Sequence, residues 1–215
     1  MIGDFKYRSV LDVGAGSGNN LKTIRETNPS AETWAITCSE TEADALRKVT
    51  PNVVTADLNT LGLSDGSRRI LPSDITFDLI ICSHVLEHLI DPVDVLAHLC
   101  ERLSSKGRMI IAVPNICHWR SRLKIISGCF DYEENGVMDK THLRFFSYYS
   151  TIRLGESDTR TELIAKQAVG GAILGPFRSF LPRRLIMRLD RLAVKIMPNL
   201  FGYETHVVLR RIHQS

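Results

Sequence analysis

The sequence predicts an α/β fold, a single domain on a seven-stranded, mainly parallel sheet with helices on both faces. Two observations carry this. Short apolar runs alternate with helical patterns from residue 9 to residue 114, and two more strand-like runs follow at 162–171 and 203–212. Such alternation implies right-handed crossovers and hence parallel strands. Composition agrees: 215 residues, 44% hydrophobic and 24% charged, have the makeup of one soluble domain with a substantial core.

Taken in order, "SVLDV" is an apolar run that ends in the glycine turn "GAGSG". A helix follows, with Leu21, Ile24 and Arg25 ahead of an Asn28-Pro29 stop. The pattern repeats in "TWAITCS" and "ETEADALRKV", then in "NVVTADL", then in "FDLIICS", a helix over "PVDVLAHLCERLSSKG" and the strand "RMIIAVPN". Between Ile116 and Ser150 the pattern lapses, with turn signals at Gly128 and Asn135-Gly136. Excursions of that length usually serve as lids or binding loops. "ELIAKQAVGG" and "YETHVVLRRI" read as the last two strands, and between them a helix is expected over Pro182–Met197. On it Arg184, Arg188, Arg191 and Lys195 form one stripe, and Leu185, Leu189, Leu192 and Ile196 form the next. Such a helix is expected to lay its leucines on the sheet or roof the site; the alternative is a peripheral contact with an anionic membrane.

A formal charge of +3 excludes a general polyanion coat, so no nucleic-acid partner is expected. Cys38, Cys82, Cys100, Cys117 and Cys129 are odd in number, scattered and never spaced C-x-x-C, which fits a reducing cytoplasm and neither a disulfide framework nor a zinc ribbon. Asp4, Lys6 and Arg8 interrupt the N-terminus where a secretory peptide is apolar, and no stretch reaches the ~18 apolar residues of a membrane span.

Asp12, Gly14, Gly16 and Gly18 sit where the first strand meets its helix. Glycine there permits positive φ and lets a ligand approach backbone N–H groups. With this turn, Asp57 in "TADL", "FDLIICSHVLEHL" and "GRMIIAVPN", the first 115 residues or so resemble the class I S-adenosylmethionine-dependent methyltransferases. The resemblance implies a Rossmann-like, doubly wound sheet whose last strand is antiparallel, with S-adenosylmethionine across the carboxyl ends of the first, second and fourth strands. It implies that Asp12 helps hold the cofactor's amino group, that Gly14, Ala15, Gly16 and Gly18 pass beneath its methionine part, and that Asp57 approaches the adenine amine. Leu58 and Ser83 complete that set. Where relatives often carry an acid for the ribose hydroxyls this chain has Thr37, so Glu40 is considered in its place. Residues 1–115 then form a cofactor half, 116–150 a substrate loop or lid, and 151–215 the closing strands and basic helix.

"HVLEH", residues 84–88, also spells the H-x-x-E-H of inverted zinc peptidases. A zinc hydrolase using His84, Glu87 and His88 would need both histidines on one helix face, yet the pattern starts at a strand end; the string also resembles the E-x-x-E-H with which some quinone-biosynthesis O-methyltransferases bind a divalent ion, but His84 replaces the first glutamate, so no metal is expected. For methyl transfer the candidate proton acceptors are His142, His88 and His84, with His118 also weighed. "DKTHLRFFS" and its surroundings are similar to a bacterial methyltransferase subfamily of surface-glycan and secondary-metabolite pathways. By that likeness Asp139, Arg144, Tyr132 and Trp119 face a small-molecule or glycan acceptor. The expected activity is methyl transfer to oxygen or nitrogen, in a chain that a homodimer would also suit. "PN...HWR.RL" resembles an accessory protein that works with an acyltransferase in methionine biosynthesis, which supplies a non-catalytic alternative.

Overall fold

The computed structural model describes residues 5–60, 70–72, 74–171 and 181–212. Its strands are β1 (Ser9–Val13), β2 (Glu32–Thr37), β3 (Asn52–Thr55), β4 (Phe77–Ser83), β5 (Leu103–Pro114), β6 (Thr161–Gly170) and β7 (Gly202–Arg211). The helices are α1 (Asn19–Thr27), α2 (Glu40–Leu46), α3 (Pro92–Glu101), α4 (Trp119–Ile126), α5 (Tyr148–Gly155), α6 (Arg183–Ile196) and the short α7 (Pro198–Phe201). The strands form one sheet in the order β3-β2-β1-β4-β5-β7-β6. Only β7 runs antiparallel to its neighbours β5 and β6, as expected.

The sheet order reverses between β1 and β4, and ligands of open α/β sheets bind at that switch point, beyond the strands' carboxyl ends. β4 can sit there because it is apolar on both faces: Phe77, Leu79, Ile80 and Cys82 are fully buried. Each such side chain contributes roughly 1.5–3 kcal/mol relative to leaving it in water. Leu11, Ile36, Met109, Ile111, Val207 and Leu209 continue the core across the sheet.

Two boundaries and one helix face differ from expectation. The helix expected over 92–107 stops at Glu101, and β5 starts at Leu103, five residues early. There Ser104 Oγ donates to Asp78 Oδ1 at 2.8 Å, and the register slips between Phe77 and Leu79, so the polar "SSKG" is absorbed as an irregular strand start. The irregular stretch from 116 to 150 contains α4. α5 follows from Tyr148, opened by a capping box in which Ser147 and Ser150 bond each other's backbone N–H. Serine in place of the usual Glu or Gln hides that box in the sequence. Finally, α6 turns Ile186 and Asp190 inward, while Leu185, Leu192 and Ile196 are 42%, 53% and 67% exposed. Three of the four residues of the leucine stripe expected to lie on the sheet face outward, and Leu189 is half-buried.

Candidate functional site

At the switch point lies a cavity of about 590 Å³, and residues from each expected cofactor segment line it. Gly14 and Gly16 form its floor with φ of 65° and 49°. A Cβ on Gly14 would stand 2.3 Å from Val85 Cγ2, so the turn and the loop after β4 touch only because no side chain intervenes. A Cβ on Gly16 would meet nothing within 4 Å and would project into open space. Gly18 caps α1 at φ 74°, and Ala15 packs beside Leu21, Ala35 and Leu46; both support the turn without lining the cavity. Ser83, at the end of β4, does not line it either.

Asp12 lies beneath the turn, 1% exposed. Asn20 donates to its Oδ1 at 3.2 Å, whereas Oδ2 is buried without a partner. Burial pushes its carboxyl up to about 6, against the bond from Asn20. Opposite, Asp57 and Leu58 line the cavity after β3, with Asp57 Oδ1 accepting from Asn59 N at 2.9 Å.

Thr37 lines the cavity at the end of β2, and its hydroxyl donates to Glu42. Glu42 lines the cavity too, in the first turn of α2, and so brings a carboxylate beside Thr37. Glu40, considered for that part, is exposed and faces Arg47 at 3.7 Å. The strand pattern carries no sign of Glu42, because this acid comes from the next helix, which Ser39 caps by accepting from Glu42 N.

The H-x-x-E-H string does not form a zinc-peptidase face. His84 adopts φ 55°, which is uncommon for a non-glycine residue, and only Leu86–His88 form a 3-10 turn. His84 Nε2 lies 3.1 Å from Glu204 Oε1 and its Nδ1 3.4 Å from Glu87 Oε1, the latter an ion pair too poorly aligned for a hydrogen bond. Glu204, and then Glu87, push the imidazole up to about 10. Burial works against ionising Glu204, but its bonds with His206 and His84 outweigh that and draw it down to about 2. His84 is therefore a cation at neutral pH, a donor rather than a proton acceptor.

In place of His84, His142 joins the pair Glu87 and His88. One ligand-capable atom from each lies within 4.8 Å of the others, the only such His/Cys/Asp/Glu group among the described residues. The loop carrying His142 is clipped on by Leu143 N and Arg144 N, which donate to Glu87 O at 2.8 and 3.0 Å. Arg144 Nε donates to Ile90 O at 3.1 Å, so this guanidinium clamps the loop. Asp139 Oδ1 accepts from Thr141 N and Oγ1, which shapes the turn and holds its carboxyl below the usual range; Asp139 and Arg144 do not pair with each other.

A second cavity, of about 660 Å³, shares no described lining residue with the first and is lined by His118, Arg120, Lys124, Val137, Met138, Gly171 and Tyr203 among others. His118 is 7% exposed, its Nε2 has no partner, and burial pushes it below the ordinary histidine range. Trp119 stacks beneath Arg120, with 5.4 Å from guanidinium to ring, while Tyr132 is largely exposed beside Phe130. Neither ring lines either cavity.

Residues 3–153 match the family model described as a methyltransferase domain. The chain belongs to the methyltransferase domain family. Its sheet is shared with solved methyltransferases. A SAM-dependent methyltransferase from Archaeoglobus fulgidus is 20% identical with a TM-score of 0.56, covering 95% of this chain and 86% of that one. The plantazolicin methyltransferase BpumL, solved with a monoazolic desmethylPZN analog and SAH, is 18% identical with a TM-score of 0.60, covering 98% and 78%. Coclaurine N-methyltransferase, bound to N-methylheliamine and SAH, is 15% identical with a TM-score of 0.59, covering 94% and 67%. At these identities the likeness is one of fold. A 37.1 kDa protein of transposon TN4556 from Streptomyces fradiae is 31% identical over 113 residues, 50% of this chain and 30% of that protein's length.

Proposed function

We propose that this methyltransferase-domain chain binds S-adenosylmethionine in the cavity at the switch point and passes its methyl group to an oxygen or nitrogen of a sugar or small metabolite. The observation that carries the reading is the convergence on one cavity of Gly14, Gly16, Thr37, Glu42, Asp57 and His84, which come from the carboxyl ends of β1 to β4 and the first turn of α2. In this reading Gly16 leaves room for the methionine part, Glu42 with Thr37 receives the ribose hydroxyls, and Asp57 meets the adenine amine. Asp12 steadies the amino end from beneath.

The sulfonium is an activated leaving group: the S–CH₃ bond breaks with its electrons on sulfur as the acceptor's lone pair closes on the methyl carbon. The protein's task is to align the two and deal with the acceptor's proton. His88 and His142 are the groups placed for that task. Each Nδ1 faces a backbone carbonyl, Thr141 O at 3.2 Å and Val137 O at 3.0 Å, which leaves Nε2 as the nitrogen able to accept a proton, and of the two rings His88 lines the cavity with His142 packed against it. The 660 Å³ cavity, reached from His142 through Val137, is the acceptor pocket in this reading.

The outward stripe of α6 adds a partner to this reading. Leu185, Leu192 and Ile196 lie exposed beside Arg184, Arg188, Arg191 and Lys195, a pairing suited to an anionic membrane surface. No helix among the described residues is long and apolar enough to cross a membrane, so the contact is peripheral.

Calorimetric titration with S-adenosylmethionine, and separately with S-adenosylhomocysteine, tests the central reading. Saturable micromolar binding is expected for both, lost in Gly16→Val while that variant keeps its fold. No heat and no thermal stabilisation would sink the reading and move the acyltransferase-accessory alternative ahead.

A further inference from the structure

We propose that the cavity beside α4 takes an acceptor that carries an oxyanion, a phosphate ester or a carboxylate, with a hydroxyl close by: the first turn of α4 and Arg120 hold the oxyanion, and His118 receives the hydroxyl. The acceptor role rests on the methyltransferase reading above; the oxyanion site does not.

The strongest observation is His118. It is 7% exposed and lines the cavity, and its Nε2 has no partner. Buried polar atoms are normally satisfied, since an unmade bond leaves the desolvation cost in place. Because Nε2 is bare, the ring's bond to the Gly171 backbone falls to Nδ1. Burial outweighs that bond and holds the ring below the ordinary histidine range, so His118 is neutral and keeps a lone pair at Nε2. That atom asks for a donor, and a hydroxyl is one.

The oxyanion side is built from α4. The helix begins without a side-chain cap, and the N–H groups of Trp119, Arg120 and Ser121 make no hydrogen bond among the described residues. Such a turn offers bare donors at the positive end of the helix dipole. Arg120, Ser121 and Lys124 share one face of α4, and all three line the cavity with His118. The Arg120 guanidinium lies 5.4 Å from the Trp119 ring centre, and stacking occupies its flat face while leaving the N–H edge to fork an oxyanion. The acids on the cavity wall are already engaged. Glu133 is held by Lys124, and Asp190 has a partner of its own. No carboxylate pairs with Arg120 among the described residues, which leaves this cation for a ligand.

An oxyanion held away from the reacting atom suits an acceptor pocket, because binding energy from remote groups orients the nucleophile. Val137 lines the same cavity and its carbonyl meets His142 Nδ1 at 3.0 Å, so the pocket wall is bonded to one of the two proton-accepting rings. The reading therefore favours phosphorylated or acidic sugars and metabolites over neutral glycans.

The test is amide NMR of the isotope-labelled protein in phosphate-free buffer, titrated with inorganic phosphate, glycerol phosphate, glycerate and glycerol. The three anions should shift the Trp119, Arg120 and Ser121 amides saturably, and glycerol should not. Arg120 is exposed, so Arg120→Gln keeps the fold, and it should weaken each anion at least ~10-fold. Arg188→Gln, the same loss of charge on α6, should leave them unchanged. Glycerol phosphate should bind more tightly than inorganic phosphate, and His118→Phe should remove that gain. The tighter of glycerol phosphate and glycerate identifies the oxyanion. No saturable shift with any anion, or binding indifferent to Arg120→Gln, overturns the proposal. Binding of inorganic phosphate with no gain from the hydroxyls would mark an adventitious ion only and overturn it as well. Titrating S-adenosylmethionine into the same samples separates the two readings. Cofactor binding without anion binding defeats only the oxyanion site, and anion binding without cofactor binding defeats only the methyltransferase reading and the acceptor role that rests on it.

Discussion

Asp12 shows how a site residue costs stability. Its carboxyl is drawn up from the ordinary 3.8 to about 6 by burial. A raised acid holds its proton more tightly in the folded chain than in the unfolded one, so stability declines as pH climbs from about 4 through 6 and then levels off. At ~1.4 kcal/mol per pH unit, the gap comes to ~3 kcal/mol above pH 7. Asp12→Asn should accordingly raise the melting temperature of the cofactor-free protein at pH 8 and change it little at pH 4. An equal shift at both values would disprove the burial account. Glu42 makes the complementary case, since a charged hydrogen bond is worth about 1.5–3 kcal/mol. Glu42→Gln should therefore weaken S-adenosylmethionine roughly 10- to 100-fold by calorimetry, whereas Glu40→Gln, at the exposed position facing Arg47, should not. Asp12 and the glycines were legible because the tight turn demands those residue types. Glu42 was not, because it reaches the site only once α2 packs after β2.

Among the elements, α6 is where pattern and packing part company. Its two stripes were readable from spacing, but spacing cannot say which side meets the protein. Packing turned Ile186 and Asp190 inward and left Leu185, Leu192 and Ile196 in contact with solvent. A self-association through that face would set the same cations against one another, which favours an anionic bilayer as the partner. Co-sedimentation should show binding to phosphatidylglycerol vesicles, weak binding to phosphatidylcholine vesicles, and loss with Arg188→Glu and Arg191→Glu together. A concentration-dependent dimer disrupted by the same changes, with no vesicle binding, would assign the face to a second copy instead. α4 and α5 were unreadable for a different reason: they are eight-residue helices inside a polar stretch, too short for a periodic signal.

For the molecule as a whole, the alternation of apolar runs and helical patterns determined the α/β sheet, because strands buried on both faces must be apolar throughout and crossovers have a fixed hand. The glycine turn and Asp57 determined where a cofactor would lie, since the carboxyl ends of the central strands meet at the switch point whatever the loops do. Tertiary structure alone decided the acceptor side. "HVLEH" holds two histidines four residues apart, yet His84 turns to Glu204 and its place beside Glu87 is taken by His142. That exchange depends on one backbone residue at φ 55° and on a loop clipped to the Glu87 carbonyl. Neither leaves a periodic trace in the chain, because contacts between residues more than fifty apart are set by packing and not by local spacing.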